Sequence, residues 1–465
     1  MTETEKNTAL PEGFKKRSRA LFDTEEEYRR FIVALESGAA VRSLRINTLK
    51  AGETAVEHLL SHMQLEPLPY GGGYIFRSDG IGAAPLHHAG AFYVQDPGAM
   101  SAAEAVRDIV TPDFKVLDMC AAPGGKSAQL AAFLTDSGGG ILVSNETDRG
   151  RAAILRGNTE RMGHRRTVVT NAPPRRIAED FTAFFDLVLT DAPCSGEGMM
   201  RKYATAVSEW SEDNVKMCAV RQADILDEAQ KCVCPGGYLL YSTCTFSLEE
   251  NEMTVDAFLS RHPEFEITEV PEKLRALTAD GVNFEGCRHD MSGCRRFYPH
   301  ISAGEGQFFC LMKRIDEGVR GSFQSKSAAS PLTKDEKKAL DSFFESVGLE
   351  TTPAVSLRGN IMLSGNLPCP EYALCCGVCA GEVTKGRLVP HHHLFTAMGA
   401  DFENRIELSP DSREIQAYLR GETVNIPGNM KNGWYAVTCG GCAVGGGKLV
   451  DGVLKNHYPK GLRNR

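Results

Sequence analysis

Between residues 115 and 242 the chain alternates short, unbroken apolar runs with longer amphipathic stretches. KVLDM (115–119), ILVSN (141–145), TVVT (167–170), FDLVLT (185–190) and GYLLYS (237–242) are each the length of a buried strand. Helical patterns lie between them at 126–134, 149–162 and 216–232. Runs that stay apolar at every position predict strands covered on both faces. Alternated with helices, they predict an α/β domain with a doubly wound, Rossmann-like parallel sheet. Two further runs, 296–300 and 307–313, follow with no helix long enough to separate them. They predict an antiparallel pair at the sheet edge.

The flanks read differently. Residues 1–98 predict a small α+β domain, with a helix at 25–36, an extended stretch at 41–49, a helix near 54–63 and a glycine-rich segment at 70–82. The doubly wound domain spans 99–315. Gly, Ser, Ala and Lys dominate 316–335, the composition of a linker. Residues 336–465 predict a separate α+β module, with helices at 334–347 and 412–419 bordering short strands and many glycines. No internal repeat is present.

Composition narrows the function classes. With 465 residues, 42% hydrophobic and 24% charged, the chain predicts several folded domains. A net charge of -8 excludes a polyanion binder that works through bulk charge. No apolar run approaches the roughly 18 residues of a membrane span, and the polar start MTETEKNTALPEGFKKR lacks a signal-peptide core. The expected setting is the cytoplasm. There the 15 cysteines should be free, metal-bound or catalytic rather than a disulfide framework.

Candidate chemistry sits after the strands. Asp118-Met119-Cys120-Ala121-Ala122-Pro123-Gly124-Gly125-Lys126-Ser127 is a small-residue turn between a strand and a helix. A Walker A loop would need Gly where Cys120 stands, and G-x-G-x-x-G is absent. An S-adenosylmethionine site remains, with Glu146 at the end of the second strand as the acid for the ribose hydroxyls. Two cysteines follow two other strands, Cys194 in Asp191-Ala192-Pro193-Cys194-Ser195-Gly196 and Cys244 in Thr243-Cys244-Thr245. Because open α/β sheets bind ligands beyond the carboxyl ends of their strands, all these loops should open on one side. Ser247-Leu248-Glu249-Glu250 predicts a capping box that starts a helix just after Cys244 and favours its thiolate. Cys218, Cys232, Cys234 and Cys310 fit small buried hydrophobes.

In these stretches the chain resembles the Sun-domain (Nop/Sun) RNA cytosine-5 methyltransferases, most closely the bacterial RsmF/YebU type. The matching segments are KVLDMCAAPGGKSAQLA, SNETDRGRAAILRGNTERMG, FDLVLTDAPCSGEGMMRK and GGYLLYSTCTFSLEENE, joined by GAFYVQDPGAM, RRFYPHISAGEGQFFCLMKR and KNHYPKGLR. The resemblance implies a class I methyltransferase core, an N-terminal RNA-binding domain and a C-terminal PUA-like RNA-binding module. It implies S-adenosylmethionine held by Cys120, Ala121, Ala122, Pro123, Gly124, Gly125, Lys126, Glu146, Arg151, Asn171 and Asp191. It makes Cys244 the nucleophile, Cys194 the residue that assists product release, and Asp191 the group facing cytosine N3. DNA cytosine methylases attack with the PC cysteine, usually followed by Gln; Ser195 and the added TC motif point to RNA instead. The implied partner is rRNA of the small ribosomal subunit, bound by a monomer. A tRNA methyltransferase, or an RNA-binding assembly factor without catalysis, are the alternatives.

Basic clusters that could hold phosphates are Lys15-Lys16-Arg17-Ser18-Arg19, Arg161 with Arg165-Arg166, Arg201-Lys202, and Lys455, Lys460, Arg463 and Arg465. Cys376-x-x-Cys379 before His391-His392-His393, and Cys439-Gly440-Gly441-Cys442, invite a zinc reading. The second motif has a simpler account, WYAVTC and CAVGGGKLV reading as two strands joined at a Gly-Gly turn, and the resemblance implies no required metal in this module.

Overall fold

The computed structural model describes residues 9–38, 40–136 and 139–464. Its centre is a ten-stranded mixed sheet. The parallel heart comprises β1 (Lys115–Asp118), β2 (Ile141–Asn145), β3 (Thr167–Thr170), β4 (Phe185–Asp191) and β5 (Val233–Thr243). These strands lie in the order β5-β4-β1-β2-β3, each neighbouring pair parallel. The chain builds β2 and β3 on one side of β1, then returns to build β4 and β5 on the other. The topological switch point falls between β1 and β4.

The continuous apolar runs have a direct cause. Leu117, Val143, Val188 and Leu239 join one apolar cluster, while Val116, Leu142, Leu187 and Leu240 join another, so both faces of the sheet are buried. The four connections run through α1 (Gly125–Asp136), α2 (Arg149–Met162), the short helix Pro174–Asp180 and α3 (Glu212–Cys232). Asp148 caps α2 by accepting from the Arg151 N–H, and Gly163 ends it in the left-handed conformation. As the sequence predicts, β6 (Arg295–Phe297) and β7 (Gln307–Arg314) pair antiparallel. The pair extends the sheet beyond β5, and Ala279–Asp280 takes the edge.

One local expectation is corrected. Ser247 does not open a helix; α4 (Glu252–Arg261) begins later, and its N-cap Asn251 makes no side-chain capping bond. Residues 248–251 form a turn instead. The N-cap Asn251 instead braces the residues on either side of Cys244, accepting from Thr243 Oγ1 at 2.6 Å and donating to the Thr245 carbonyl at 3.0 Å.

The flanking parts are built into the core rather than strung beside it. The N-terminal residues form a four-stranded antiparallel sheet. Its Leu44, Ala55, Leu59 and Phe92 share an apolar cluster with Ile415, Tyr418, Val437 and Leu449 of the C-terminal part. The C-terminal part also supplies β8 (Ala373–Cys376), which pairs antiparallel with β3 and extends the central sheet. Segment 316–335 lies along the core: the Gly321 N–H donates to the Ala183 carbonyl at 2.8 Å, and Phe323 packs on Phe181 at 4.9 Å.

Strands Gly433–Cys439 and Cys442–Val450 form the hairpin read from the sequence. Gly440 and Gly441 turn it with φ of 57° and 76°, values that suit glycine. A disulfide joins Cys369 to Cys376, while the other cysteines are free, so the expectation of uniformly unbridged thiols is corrected at this one place. The bridge takes Cys376 out of the Cys376/Cys379 pair.

Candidate active site

The loops at the carboxyl ends of β1, β2, β4 and β5 converge at the switch point. The β1 loop is tied to both neighbouring strands, because Met119 N–H donates to Leu189 and Ala121 N–H to Asn145, at 2.9 and 2.8 Å. Gly124 adopts φ +115°, which side-chain-bearing residues rarely reach. Helix α2 fixes the turn from outside: Arg151 Nη2 donates to the Ala122 carbonyl at 2.8 Å, and Asn158 Nδ2 to the Pro123 carbonyl at 2.8 Å. Burial pushes the Cys120 thiol far up, so it keeps its proton and packs as a neutral group. Asp118 is pushed up to about 7 by burial; its Oδ2 accepts from Ser127 Oγ at 2.7 Å.

Glu146 is 5% exposed at the end of β2. Its Oε1 accepts from the Asp148 N–H at 3.0 Å, whereas Oε2 has no hydrogen-bond partner and lies 3.3 Å from Arg151 Nη1. A buried carboxylate oxygen without a hydrogen bond, paired only with the Arg151 guanidinium, suits a ligand hydroxyl. Asn171 spends its Nδ2 on the carbonyls of Glu146 and Thr147, at 2.7 and 2.9 Å, and so braces the acid's backbone.

Strands β4 and β5 are adjacent and parallel, with Asp191 opposite Ser242, so their loops start side by side. Cys194 Sγ and Cys244 Sγ lie 3.2 Å apart, both thiols free and partly exposed. The hydrogen bond to Cys244, followed by burial, pushes the Cys194 thiol up. Next to them Asp191 accepts from Lys126 Nζ at 2.8 Å and from Ser242 Oγ at 2.7 Å. Lys126 and Asp191 thereby join the β1 and β4 loops.

An acid and hydroxyl network laces the two cysteine loops together, and sequence reasoning missed it. Ser195 Oγ meets Thr245 Oγ1 at 2.9 Å, and Glu250 accepts from the Ser195 N–H at 2.9 Å and from Gln222 Nε2 at 2.9 Å. Thr245 Oγ1 also donates to Glu197 at 3.0 Å. Burial pushes Glu250 up to about 7 and raises Glu197. The signal was present in the hydroxyl that directly follows each cysteine. Beneath the network, buried Arg296 pairs with Glu252 and donates to the Phe246 carbonyl at 2.9 Å.

The expected phosphate-binding clusters are mostly spent internally. Arg201 is buried against Glu305 at 2.8 Å, and Lys202 pairs with Asp96 at 3.1 Å. Arg161 donates to the carbonyls of His87 and Phe92, and Arg165 pairs with Asp401. Lys15, Arg17 and Arg19 face Glu36, Glu249 and Glu25. Arg161, Arg201 and Lys202, read from the sequence as residues that could hold phosphates, are thus engaged within the protein. Arg465 lies outside the described residues.

A doubly wound core with flanking N-terminal and PUA-type parts defines a methyltransferase of the Sun-domain class. Residues 109–313 match the model for 16S rRNA methyltransferase RsmB/F. Residues 10–97 match the N-terminal domain of 16S rRNA methyltransferase RsmF, and 405–464 the methyltransferase RsmF PUA domain. Ribosomal RNA small subunit methyltransferase F of Klebsiella pneumoniae (strain 342) is 30% identical over 98% of this chain and 97% of its own. The protein of the same name from Erwinia tasmaniensis is 29% identical over 97% and 96%. The chain belongs to the ribosomal RNA small subunit methyltransferase F family. Among solved structures, a methyltransferase homolog protein from Pyrococcus horikoshii is 26% identical, with TM-score 0.56 over 66% of this chain and 95% of its own. NSun6 from Pyrococcus horikoshii shares the fold at 20% identity, with TM-score 0.55 over 66% and 99%. No helix among the described residues is long and apolar enough to cross a membrane.

Proposed function

We propose that this chain transfers a methyl group from S-adenosylmethionine to C5 of a cytosine in 16S rRNA, through a transient bond between Cys244 and C6 of the ring. The observation that carries this reading is the 3.2 Å approach of Cys194 and Cys244 beside the Lys126–Asp191 pair. When bound, S-adenosylmethionine supplies the methyl group as an electrophile on sulfonium. Glu146 would receive the ribose hydroxyls through its open oxygen, with Arg151 and Asn171 holding that acid and its loop. Cys120, Ala121, Ala122, Pro123, Gly124, Gly125 and Lys126 would cradle the remainder, with Asp191 beside them.

Cytosine C5 must become carbanion-like to accept a methyl group, and the neutral ring does not offer that. Addition of the Cys244 thiolate forms a C6–S bond and drives a ring electron pair toward C5. Asp191, held by Lys126 and Ser242, faces N3, where a proton shared between its carboxylate and the ring nitrogen steadies the displaced charge. C5 would then take the methyl group as the bond from that group to the sulfonium sulfur breaks, leaving a neutral thioether. Transfer of the C5 proton to a solvent base returns the C–H pair to the ring as the C6–S bond breaks, and Cys244 leaves as thiolate. Cys194, kept protonated by its hydrogen bond to Cys244, is placed to assist that release. The target base must first be unstacked, at a cost of a few kcal/mol. We place the reaction in the cytoplasm, on RNA of the small ribosomal subunit rather than DNA, with a monomer as the working unit. The boundaries 1–98, 99–315, 316–335 and 336–465 are part of the same proposal.

Cys244→Ala should abolish methylation and form no adduct. Cys194→Ala should accumulate a covalent RNA adduct that survives a denaturing gel. Free turnover by Cys194→Ala contradicts the assigned roles. Bisulfite mapping of rRNA and tRNA, with and without the gene, identifies the substrate; an unchanged 16S pattern rules out the rRNA reading.

A further inference from the structure

Helix Glu53–His62 turns one stripe, Ala55 and Leu59, into the apolar cluster it shares with Ile415, Leu419 and Cys442 of the C-terminal part. The neighbouring stripe carries His58 and His62, again four residues apart, at the rim of that seam. Across the seam stands Asp411, just before helix Arg413–Arg420. One nitrogen of each histidine and one oxygen of Asp411 lie within 4.8 Å of one another. The imidazoles stack with centroids 4.1 Å apart, and His58 Nδ1 is 3.9 Å from Asp411 Oδ2. His62 Nδ1 faces the His58 carbonyl at 2.9 Å. Ser61 Oγ meets the same nitrogen at 2.8 Å; a ring proton donated from Nδ1 to the carbonyl would leave the Nε2 lone pair for a metal, the arrangement that orients metal-binding histidines.

We propose that His58, His62 and Asp411 form a binding site for a divalent transition-metal ion that clips the N-terminal domain to the C-terminal part. Two imidazoles and one carboxylate suit zinc, cobalt or nickel rather than calcium or magnesium, which take oxygen ligands. Bonds of about 2 Å place tetrahedral ligand atoms about 3.3 Å apart, so closure requires only side-chain rotation. His62 and Asp411 are exposed and free to make it. The remaining coordination positions go to water. The site is remote from the cysteine loops in sequence and uses none of their residues, so it serves the joint between domains rather than methyl transfer.

The test is titration of the full, untagged chain with cobalt(II), followed by visible absorption and thermal melting. The wild type should bind one equivalent at this site with a d–d spectrum lacking thiolate charge transfer, and its melting temperature should rise with metal. His62→Ala and Asp411→Asn, both surface changes, should weaken binding about tenfold or more and abolish the melting shift. Binding that is absent in the wild type, unchanged in His62→Ala, or marked by a cobalt–thiolate band overturns the assignment. Methyl transfer by the metal-free variants should equal that of the metal-free wild type, so failure here leaves the reading of the cysteine site intact.

Discussion

Glu250 grips Ser195 twice, accepting its backbone N–H at 2.9 Å and its hydroxyl at 2.5 Å. Ser195 directly follows Cys194, and Glu250 lies on the turn that follows Cys244. One carboxyl group therefore sets the spacing of two thiols carried on different strands. Glu250→Gln should keep the volume but replace one of two accepting oxygens with an NH2 group, so that one of the two sets of donors around it loses its acceptor. We predict a loss of methyl-transfer rate on the order of tenfold to a hundredfold, about 1.4 to 2.8 kcal/mol of barrier. Single-turnover kinetics, with circular dichroism to show an unchanged fold, measures it. A wild-type rate would show that the network does not govern the thiols.

Burial pushes both Asp118 and Glu250 up to about 7 from ordinary values near 4. The folded state holds these protons where the unfolded chain releases them. Their contribution to stability is therefore complete below about pH 4 and is lost as pH rises toward and through 7. Buried His164 and half-buried His392, both lowered to about 3 by desolvation, act in the opposite direction between about 3 and 6.5. A single melting profile mixes these effects, so the difference between two profiles is the proper readout. Asp118→Asn should gain melting temperature relative to wild type between about pH 5 and pH 8. Parallel profiles would mean that Asp118 titrates normally.

Glu146→Gln tests the open oxygen at the end of β2. A hydrogen bond to a charged group is worth about 1.5 to 3 kcal/mol, so the dissociation constant for S-adenosylmethionine should rise about tenfold to a hundredfold. The rate at saturating cofactor should change far less, since this acid stands apart from the cysteines. Calorimetric titration of the variant checks it. Equal affinity would move the ribose site elsewhere.

Local signals were legible, and pairings between distant residues were not. Helix α2 was readable end to end because Asp148 caps its start and Gly163 its finish. The strands of the parallel heart were readable because burial on both faces leaves runs without alternation. The cysteine loops followed from where those strands end. By contrast, the partner of Arg201 is Glu305. No periodicity announces that pair, so a buried structural cation looked like a phosphate contact. Ser247 carried the letters of a capping box and does accept from the Glu250 N–H at 3.4 Å, but the Glu250 side chain goes to Ser195 and Gln222 instead of closing the box, and the segment is a turn. The attachment of β8 to β3 was equally silent, because a short apolar run carries no label naming its neighbour.

That attachment makes the C-terminal part a structural component of the catalytic sheet. Truncation after residue 335 would strip β8 from β3 and leave the β3 backbone groups as an open edge. It would also remove Ile415, Tyr418, Val437 and Leu449 from the cluster that covers Leu44, Ala55 and Phe92. A linker that merely tethered two bodies would leave the remaining chain intact. Here both faces of the cut are apolar, and exposed patches of that kind drive association. The truncated chain should therefore be mostly insoluble, or should lose its cooperative thermal transition while retaining secondary structure. Scanning calorimetry paired with far-ultraviolet circular dichroism distinguishes those results. A soluble fragment ending at 335 that melts sharply and binds S-adenosylmethionine as tightly as the full chain would show that the C-terminal part is an appendage after all.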